Sequence, residues 1–374
     1  MVLAVVLAAL IPIGGAALRA DKAQPPTPPV PVPELQPIYV VNAGLDGEIF
    51  PAFANYASLQ KPEQRRLATV SVKIVNPTHD LLRHRVAVQI PGWSDQEIQM
   101  VEVAPGETRS FLFAPTFLPR LFANREIVPA TASVVATDMA THLVFTGTVP
   151  VRLRAAGDMY WGANFKYAAF IAAWVTPHDS QVEQILSRAK EYAPGRRLPG
   201  YELDKNTAAQ VHQTYVQVRA IYRALQDAGI SYVKSSLTFG GHQEVSERVR
   251  LPRETLRRVS ANCIDGAVMY ASLFENLGLD PVVVLVPGHA YVGVREAENS
   301  QDYLYIETSL TGRASFDTAV LAAGRGLRRY RPQQIIRIPI TLSRQDGIYP
   351  MPVSAQSPLV RTQSPVPSQS PALD

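Results

Sequence analysis

The stretch NCIDGAVMYASLFENLGLDP, residues 262–281, predicts one well-defined helix. Asn262 is a favourable N-cap, and Asp265 follows three residues later in the order of a capping box. Gly278 gives the helix a natural end. The apolar residues recur at helical spacing and would line one face: Ile264, Ala267, Val268, Ala271 and Phe274. This helix places Cys263 in its first turn.

The next stretch, VVVLVPGHAYVGV at residues 282–294, predicts two strands joined by a tight turn. The first strand is a continuous apolar run, which is typical of a buried strand. His289 opens the second strand directly after Pro-Gly. A third strand, DYLYIET at residues 302–308, carries Glu307 near its end. This order would bring His289 opposite the helix tip, with Glu307 on the adjacent strand.

Cys263 is the only cysteine of the chain, so no disulfide can form within the chain. The free N–H groups and the positive dipole end of a helix favour thiolate over thiol and can stabilise an oxyanion beside the sulfur. A histidine base and an acid that fixes its tautomer would complete a nucleophilic site. Each residue alone has a plainer interpretation: a buried core cysteine, a structural histidine and an edge-strand carboxylate.

Together with YLYIETSLTG at residues 303–312, these stretches resemble the bacterial transglutaminase-like superfamily, relatives of papain-type cysteine peptidases. The resemblance covers about residues 210–345. It implies an α+β transglutaminase-like domain, in which a cysteine-bearing helix packs on an antiparallel sheet. The roles it implies are nucleophile for Cys263, general base and acid for His289, and orienting carboxylate for Glu307. The family usually has Asp at this last position.

In such enzymes an upstream side chain often completes the oxyanion hole, and Tyr232 is the candidate here. The reaction implied is attack of a thiolate on a carbonyl, loss of an amine, and resolution of the acyl-enzyme. Resolution by water gives a cysteine peptidase or amidase acting on protein or peptide amides, and we prefer it because no sequence feature keeps water from the thioester. Resolution by a lysine amine gives a protein-crosslinking transglutaminase. The remaining alternative is a catalytically silent binding module for peptide or cell-wall material. No cofactor is expected.

Residues 38–156 have the period-two pattern of strands, as in ATVSVKIVN, RVAVQI and HLVFTGTVPVRL. We expect five to seven short strands in an all-β immunoglobulin-like sandwich that presents or spaces the second domain. That second domain spans residues 158–345, and its helical spacing opens with DMYWGANFKYAAFIAAWV. The histidines and acids show no spacing typical of metal ligands, so we predict no metal site.

The two ends of the chain differ in composition from the middle. Residues 1–20 form an apolar segment of signal-peptide length, residues 21–37 a proline-rich linker, and residues 346–374 a Ser/Pro/Gln-rich tail that we expect to be disordered. The first segment is expected to be a signal peptide or an N-terminal anchor. This predicts export to the periplasm, the cell envelope or the medium, with membrane or envelope association through the N-terminus.

Composition excludes some functions. The chain has 374 residues with 36 Lys and Arg against 32 Asp and Glu, a net charge of +4. Beyond the N-terminus no apolar run approaches the roughly 20 residues of a membrane-spanning helix, which excludes a transporter. The most basic stretch, residues 325–337, lacks the interleaved aromatic residues of a single-strand binding surface, so we predict no nucleic-acid partner. The expected partner is a protein or peptide substrate, and the oligomeric state is left open.

Overall fold

The computed structural model describes residues 35–201, 207–234, 238–239 and 246–352. The predictions for residues 1–34 and 353–374 therefore lie outside the described residues. The strands are β1 Ile38–Ala43, β2 Glu48–Ile49, β3 Val70–Val75, β4 Leu82–Gln89, β5 Glu97–Val103, β6 Thr108–Phe113, β7 Val128–Thr137, β8 Leu143–Leu153, β9 Asp158–Tyr160, β10 Ser231–Tyr232, β11 Thr238–Phe239, β12 Ser246–Arg248, β13 Ser260–Ala261, β14 Pro281–Val286, β15 His289–Arg295, β16 Tyr303–Ile306 and β17 Ile336–Pro339.

The protein is a mixed α and β structure with several sheets. The helices are α1 Pro51–Ser58, α2 Ser180–Ala189, α3 Thr207–Asp227, α4 Pro252–Arg258, α5 Cys263–Asn276, α6 Phe316–Leu327 and α7 Ile340–Gln345. Strands dominate the chain before residue 155, and most of the helices follow it. This coarse division agrees with the change from period-two to helical spacing.

Two sheets enclose the core of the N-terminal part. One has the strand order β1-β3-β6 and the other the order β2-β8-β7-β4-β5, and only the short β2–β8 pairing is parallel. Alternate residues of both sheets meet in one hydrophobic cluster, for example Val72 of β3, Val88 of β4 and Val134 of β7. The alternation of apolar and polar residues along each strand thus gives each sheet one apolar face, and the two apolar faces are buried against each other.

Two features of this part were not predicted. Pro-Gly at 105–106 lies between β5 and β6, but β5 pairs with β4 and β6 pairs with β3, so the turn connects two different sheets. Helix α1 also interrupts the strands. Its Phe53 packs in the C-terminal core, whereas Ala54 packs in the core between the two sheets. Because adjacent residues of α1 pack into different cores, this helix connects the N-terminal sheets to the C-terminal core.

Helix α5 lies at the centre of the larger core. Every residue from Ile264 to Phe274 is buried, so the helix is covered on all sides and not along the single face that its spacing predicted. It packs on an antiparallel sheet with the order β16-β15-β14-β17. Alternate residues of β14 point to the two sides of this sheet: Val283 joins the core around α5, and Val284 joins a smaller cluster with Ala323 of α6.

The segment that was expected to open the helical region forms other structure. Residues 158–175 contain the short strand β9 and two 3₁₀ segments, Ala163–Phe165 and Ala168–Trp174. Gly162 has a φ of 67°, which prevents a regular helix from passing through it. Most apolar residues of the stretch are buried nonetheless, among them Trp161 and Trp174 in the larger core, but Phe165 is 42% exposed.

Packing continues past residue 345, where the second domain was predicted to end. Ile348 is 4% exposed and Met351 is 2% exposed, and both lie in the larger core. The Met351 N–H also donates to the Ala173 carbonyl at 2.9 Å. Of the helices that the structure describes, none is both long and apolar enough to cross a membrane.

The packing of this last segment can be tested by comparing two neighbours. We expect Met351→Ala to lower the free energy of unfolding by about 2–5 kcal/mol, because a buried side chain is lost and a cavity remains. Tyr349 is 51% exposed, and Tyr349→Ala should change that free energy by no more than about 0.5 kcal/mol. Urea unfolding followed by circular dichroism measures both. Equal effects would show that the segment does not pack as described.

Candidate active site around Cys263

A complete capping box starts the helix that carries the cysteine. The Asp265 N–H donates to Asn262 Oδ1 at 2.8 Å, and the Asn262 N–H donates to Asp265 Oδ2 at 3.4 Å. The helix prediction is confirmed, including both capping residues. Cys263 is partly exposed. Because it is the first residue of α5, its backbone N–H has no acceptor within the helix.

The Asp265 carboxyl group is fully buried beneath this helix start. It accepts the Arg250 N–H at 2.8 Å, and the Arg250 guanidinium lies 3.5 Å from its other oxygen. Burial raises the pKa of Asp265, and the Arg250 contacts oppose that effect. Burial and the nearby charge of Asp265 together raise the pKa of Glu247 to about 7. Arg250 is thus the cation that compensates a buried acidic group.

His289 and Glu307 form an ion pair beside the helix start. His289 lies at the beginning of β15, and Glu307 directly follows β16, its neighbour in the sheet. His289 Nε2 donates to Glu307 Oε2 at 2.8 Å. Glu307 Oε1 accepts from Ser309 Oγ at 2.7 Å and from the Ser309 N–H at 3.1 Å. Burial acts to raise the pKa of Glu307, but these hydrogen bonds and the His289 charge hold it below its ordinary value.

The Cys263 side chain lies close enough to the His289 ring to act on its pKa. Because Nε2 is engaged by Glu307, Nδ1 is the ring nitrogen that remains for the sulfur. Burial acts to lower the pKa of His289, but the contacts with Cys263 and Glu307 outweigh it and raise that pKa to about 9. The structure therefore brings together the three side chains that the sequence analysis selected, in the order sulfur, imidazole, carboxylate.

Close packing between α5 and the turn after β16 sets this geometry. Thr308 Oγ1 donates to the Cys263 carbonyl at 3.4 Å. A methyl group on Gly266 would lie 2.7 Å from Thr308 Oγ1 and 2.9 Å from Thr308 Cβ. Only a glycine at this helix position lets Thr308, and with it Glu307, approach the first turn of α5 so closely.

Two tyrosines complete the surroundings. The Tyr291 ring meets the His289 ring edge to face, with 4.6 Å between centroids, and is 5% exposed. Tyr232 lies on β10, which pairs with β13 so that Tyr232 is opposite Ala261, two residues before Cys263. Burial, followed by the charges of Cys263 and Glu307, raises the pKa of Tyr232. The candidate for the oxyanion hole thus lies near Cys263 and Glu307 and is 42% exposed.

Three residues that help to position this site were not identified from the sequence. Ser309 holds Glu307, Gly266 admits Thr308, and Arg250 compensates Asp265. The spacing of Glu307 and Ser309 carries a local signal, because an acceptor side chain two residues before an N–H is typical of a capped turn. The other two depend on contacts distant in sequence. Among the described residues, no group of three or more His, Cys, Asp or Glu side chains could hold a metal ion.

Comparisons with known proteins do not assign the chain to a family. No protein-family model matches the sequence, and no curated protein matches it. One solved structure that matches is a FixG-related protein from Vibrio parahaemolyticus. The match has 17% sequence identity and a TM-score of 0.19, and it covers 32% of this chain and 95% of that chain. A likeness at this TM-score carries no argument about fold or function.

Substitution at Gly266 tests the packing that positions Glu307. We expect Gly266→Ala to displace Thr308 and to lower the free energy of unfolding by about 1–3 kcal/mol, because the new methyl group overlaps the Thr308 side chain. Adding Thr308→Gly removes the atoms that clash and should recover part of this loss relative to Thr308→Gly alone. Urea unfolding of the four proteins measures the coupling. Strict additivity of the two substitutions would contradict the close contact.

The ion pair predicts a particular pH dependence of stability. The pKa of His289 is raised from 6.5 to about 9 in the folded protein, so its contacts stabilise the fold fully below about pH 6.5 and less as the pH rises through 9. The free-energy difference of unfolding between the wild type and His289→Ala should decline over that range. Urea unfolding at several pH values measures the decline.

His84 is the control, because burial lowers the pKa of its side chain. A group of this kind destabilises the fold as it becomes protonated, so the difference between the wild type and His84→Ala should grow as the pH rises towards 6.5 and stay level above it. A decline of the same sign for both histidines would contradict the assignment of the raised pKa to the contacts of His289.

Proposed function

We propose that this protein is a thiol acyl-transfer enzyme of the transglutaminase-like kind, which hydrolyses amide bonds in proteins or peptides. In this proposal the N-terminal strands form an immunoglobulin-like sandwich that presents the catalytic domain. The observation that carries the proposal is the position of Cys263 at the first turn of a helix, near a His289 ring whose Nε2 is hydrogen-bonded to Glu307. A buried core cysteine would need neither a paired histidine nor a carboxylate behind it.

Cys263 is the proposed nucleophile. A histidine with a pKa near 9 is mostly an imidazolium at neutral pH, and a neighbouring cation favours the thiolate form of a cysteine. The first turn of α5 adds the positive end of the helix dipole. The thiolate attacks the carbonyl carbon of an amide, and the C=O electron pair moves to the oxygen.

His289 moves the protons in both halves of the reaction. It donates its Nδ1 proton to the leaving amine as the C–N bond breaks, which leaves a thioester on Cys263 and a neutral imidazole. It then removes a proton from water as the water oxygen attacks the thioester carbon, and the acid product leaves as the thiolate re-forms. Glu307 keeps Nε2 protonated throughout and stabilises the imidazolium.

The proposed oxyanion hole combines one main-chain and one side-chain donor. The Cys263 N–H lies at the first helical position beside the reacting carbon. The raised pKa of Tyr232 keeps its hydroxyl group protonated, so that it can donate a hydrogen bond. The proximity of Tyr232 to Cys263 in the parallel β10–β13 pair supports this role.

Access of water favours hydrolysis over crosslinking. Cys263 is partly exposed, and the His289 side chain keeps 22% of its surface accessible. A crosslinking enzyme must keep water from its thioester, which requires a covered sulfur. The exposure of these groups supports water as the acceptor.

Labelling with a thiol-directed acyl probe tests the proposal directly. Since the chain has one cysteine, any labelling that depends on a thiol reports Cys263 alone. We expect fast labelling of the folded wild type at neutral pH, a loss of at least about tenfold in His289→Ala, and a smaller loss in Glu307→Gln, because other groups can partly orient the imidazole. Mass spectrometry of the labelled peptide locates the adduct.

His84→Ala is the matched control, since it removes a partly buried histidine from the N-terminal sheets. Its labelling rate should equal that of the wild type. Slow labelling of the wild type, unchanged in His289→Ala, would leave the silent binding module as the better explanation. Recovery of an amine-linked product when a lysine-like amine is added would instead identify the crosslinking reaction.

A further inference from the structure

An arginine-rich cleft of about 500 Å³ is lined by none of the three residues Cys263, His289 and Glu307. One wall consists of residues 122–126 and 155–157, which follow or adjoin the strands of the N-terminal part, and the other consists of residues 248–254 and the end of α4. The cationic residues that line it are Arg125, Arg248, Arg250, Arg253, Arg257 and Arg258. Two acidic residues, Glu126 and Glu254, line it as well, and three of the arginines pair with Asp158, Asp179 and Asp265, which leaves about one net positive charge.

Three of the arginines are fixed from behind by buried aspartates. Arg248 pairs with Asp158 at 3.4 Å and Arg253 pairs with Asp179 at 2.6 Å, and both of these aspartate side chains are 1% exposed. Arg250 is held by Asp265 as described above. These pairs fix the side chains in one arrangement before any ligand arrives, which reduces the entropy cost of binding.

The remaining three arginines are exposed at the rim. Arg125 lies on one wall, and Arg257 and Arg258 lie on the last turn of α4 on the other. Among the residues that the structure describes, no lysine lines the cleft. The planar guanidinium fork matches the two oxygens of a phosphate or carboxylate group, which a lysine ammonium does not. Cations on both walls suit a ligand with more than one anionic group.

Size and lining indicate a small molecule. A volume near 500 Å³ is within the range of ligand pockets and is too small for a folded partner. Partly apolar residues contribute to the lining beside the arginines, among them Phe122, Val249 and Leu251. Such a cleft can hold a compact anion with a carbon skeleton as well as a purely inorganic one.

We propose that this cleft binds a small anion that carries two or more phosphate or carboxylate groups. The proposal is independent of the reaction at Cys263. Its basis is the convergence of six arginines from both walls, three of them fixed by buried aspartates, on one cleft of ligand size.

Titration calorimetry of the full chain with tripolyphosphate and with citrate at low salt tests the proposal. We expect saturable binding of at least one probe with a Kd below about 1 mM. The double variant Arg125→Glu and Arg258→Glu reverses one exposed charge on each wall and should weaken that binding at least about tenfold. Binding of tripolyphosphate alone identifies a phosphate site, and binding of citrate alone a carboxylate site.

Arg328→Glu with Arg329→Glu is the matched control, because both residues are exposed beyond α6 and the net charge changes equally. Its affinity should stay within about twofold of the wild type. Equal weakening in both double variants would show non-specific attraction to net charge and overturn the proposal, as would the absence of saturable binding by either probe. Thermal melts of both double variants establish that they are folded. Arg258→Lys keeps the positive charge but lacks the planar guanidinium group, and it should lose part of the affinity.

Discussion

The buried carboxylate of Asp265 is the constraint on which the centre of this structure depends. A fully buried acidic group is costly unless hydrogen bonds and a cation compensate it. Here the compensation comes from the Asn262 N–H within the helix start and from Arg250, which belongs to the segment before α4. Because Asn262 is the N-cap of α5 and Arg250 precedes α4, these contacts hold the first turn of α5, and Cys263 with it, against the segment before α4.

The rest of the site is built by close approach to this fixed turn. Gly266 lacks the side chain that would hold Thr308 away, and Thr308 is the neighbour of Glu307. The sheet fixes the position of the other two residues, because the antiparallel pairing of β15 and β16 brings His289 and Glu307 side by side. Backbone geometry thus places all three groups, and no long flexible segment lies between the helix start and the two sheet residues.

Sequence reasoning succeeded where the interactions are local. The capping box of α5 spans three residues, and the buried run of β14 and the turn to His289 are contiguous, so their patterns determine them. Helix α1 was missed because its apolar residues are divided between two cores, which hides helical spacing. The assignment of β5 and β6 to different sheets could not be predicted, since a turn sequence does not say with which distant strand each arm pairs. The contact of Gly266 with Thr308 likewise joins residues far apart in sequence.

Arg250 connects the two regions to which we assign functions. Its guanidinium lines the arginine-rich cleft and also lies 3.5 Å from the carboxylate that caps the cysteine helix. It further donates to the Ser260 carbonyl at 3.1 Å, three residues before Cys263. An anion bound in the cleft as proposed would share the Arg250 charge with Asp265, so the buried carboxylate would lose part of its compensation.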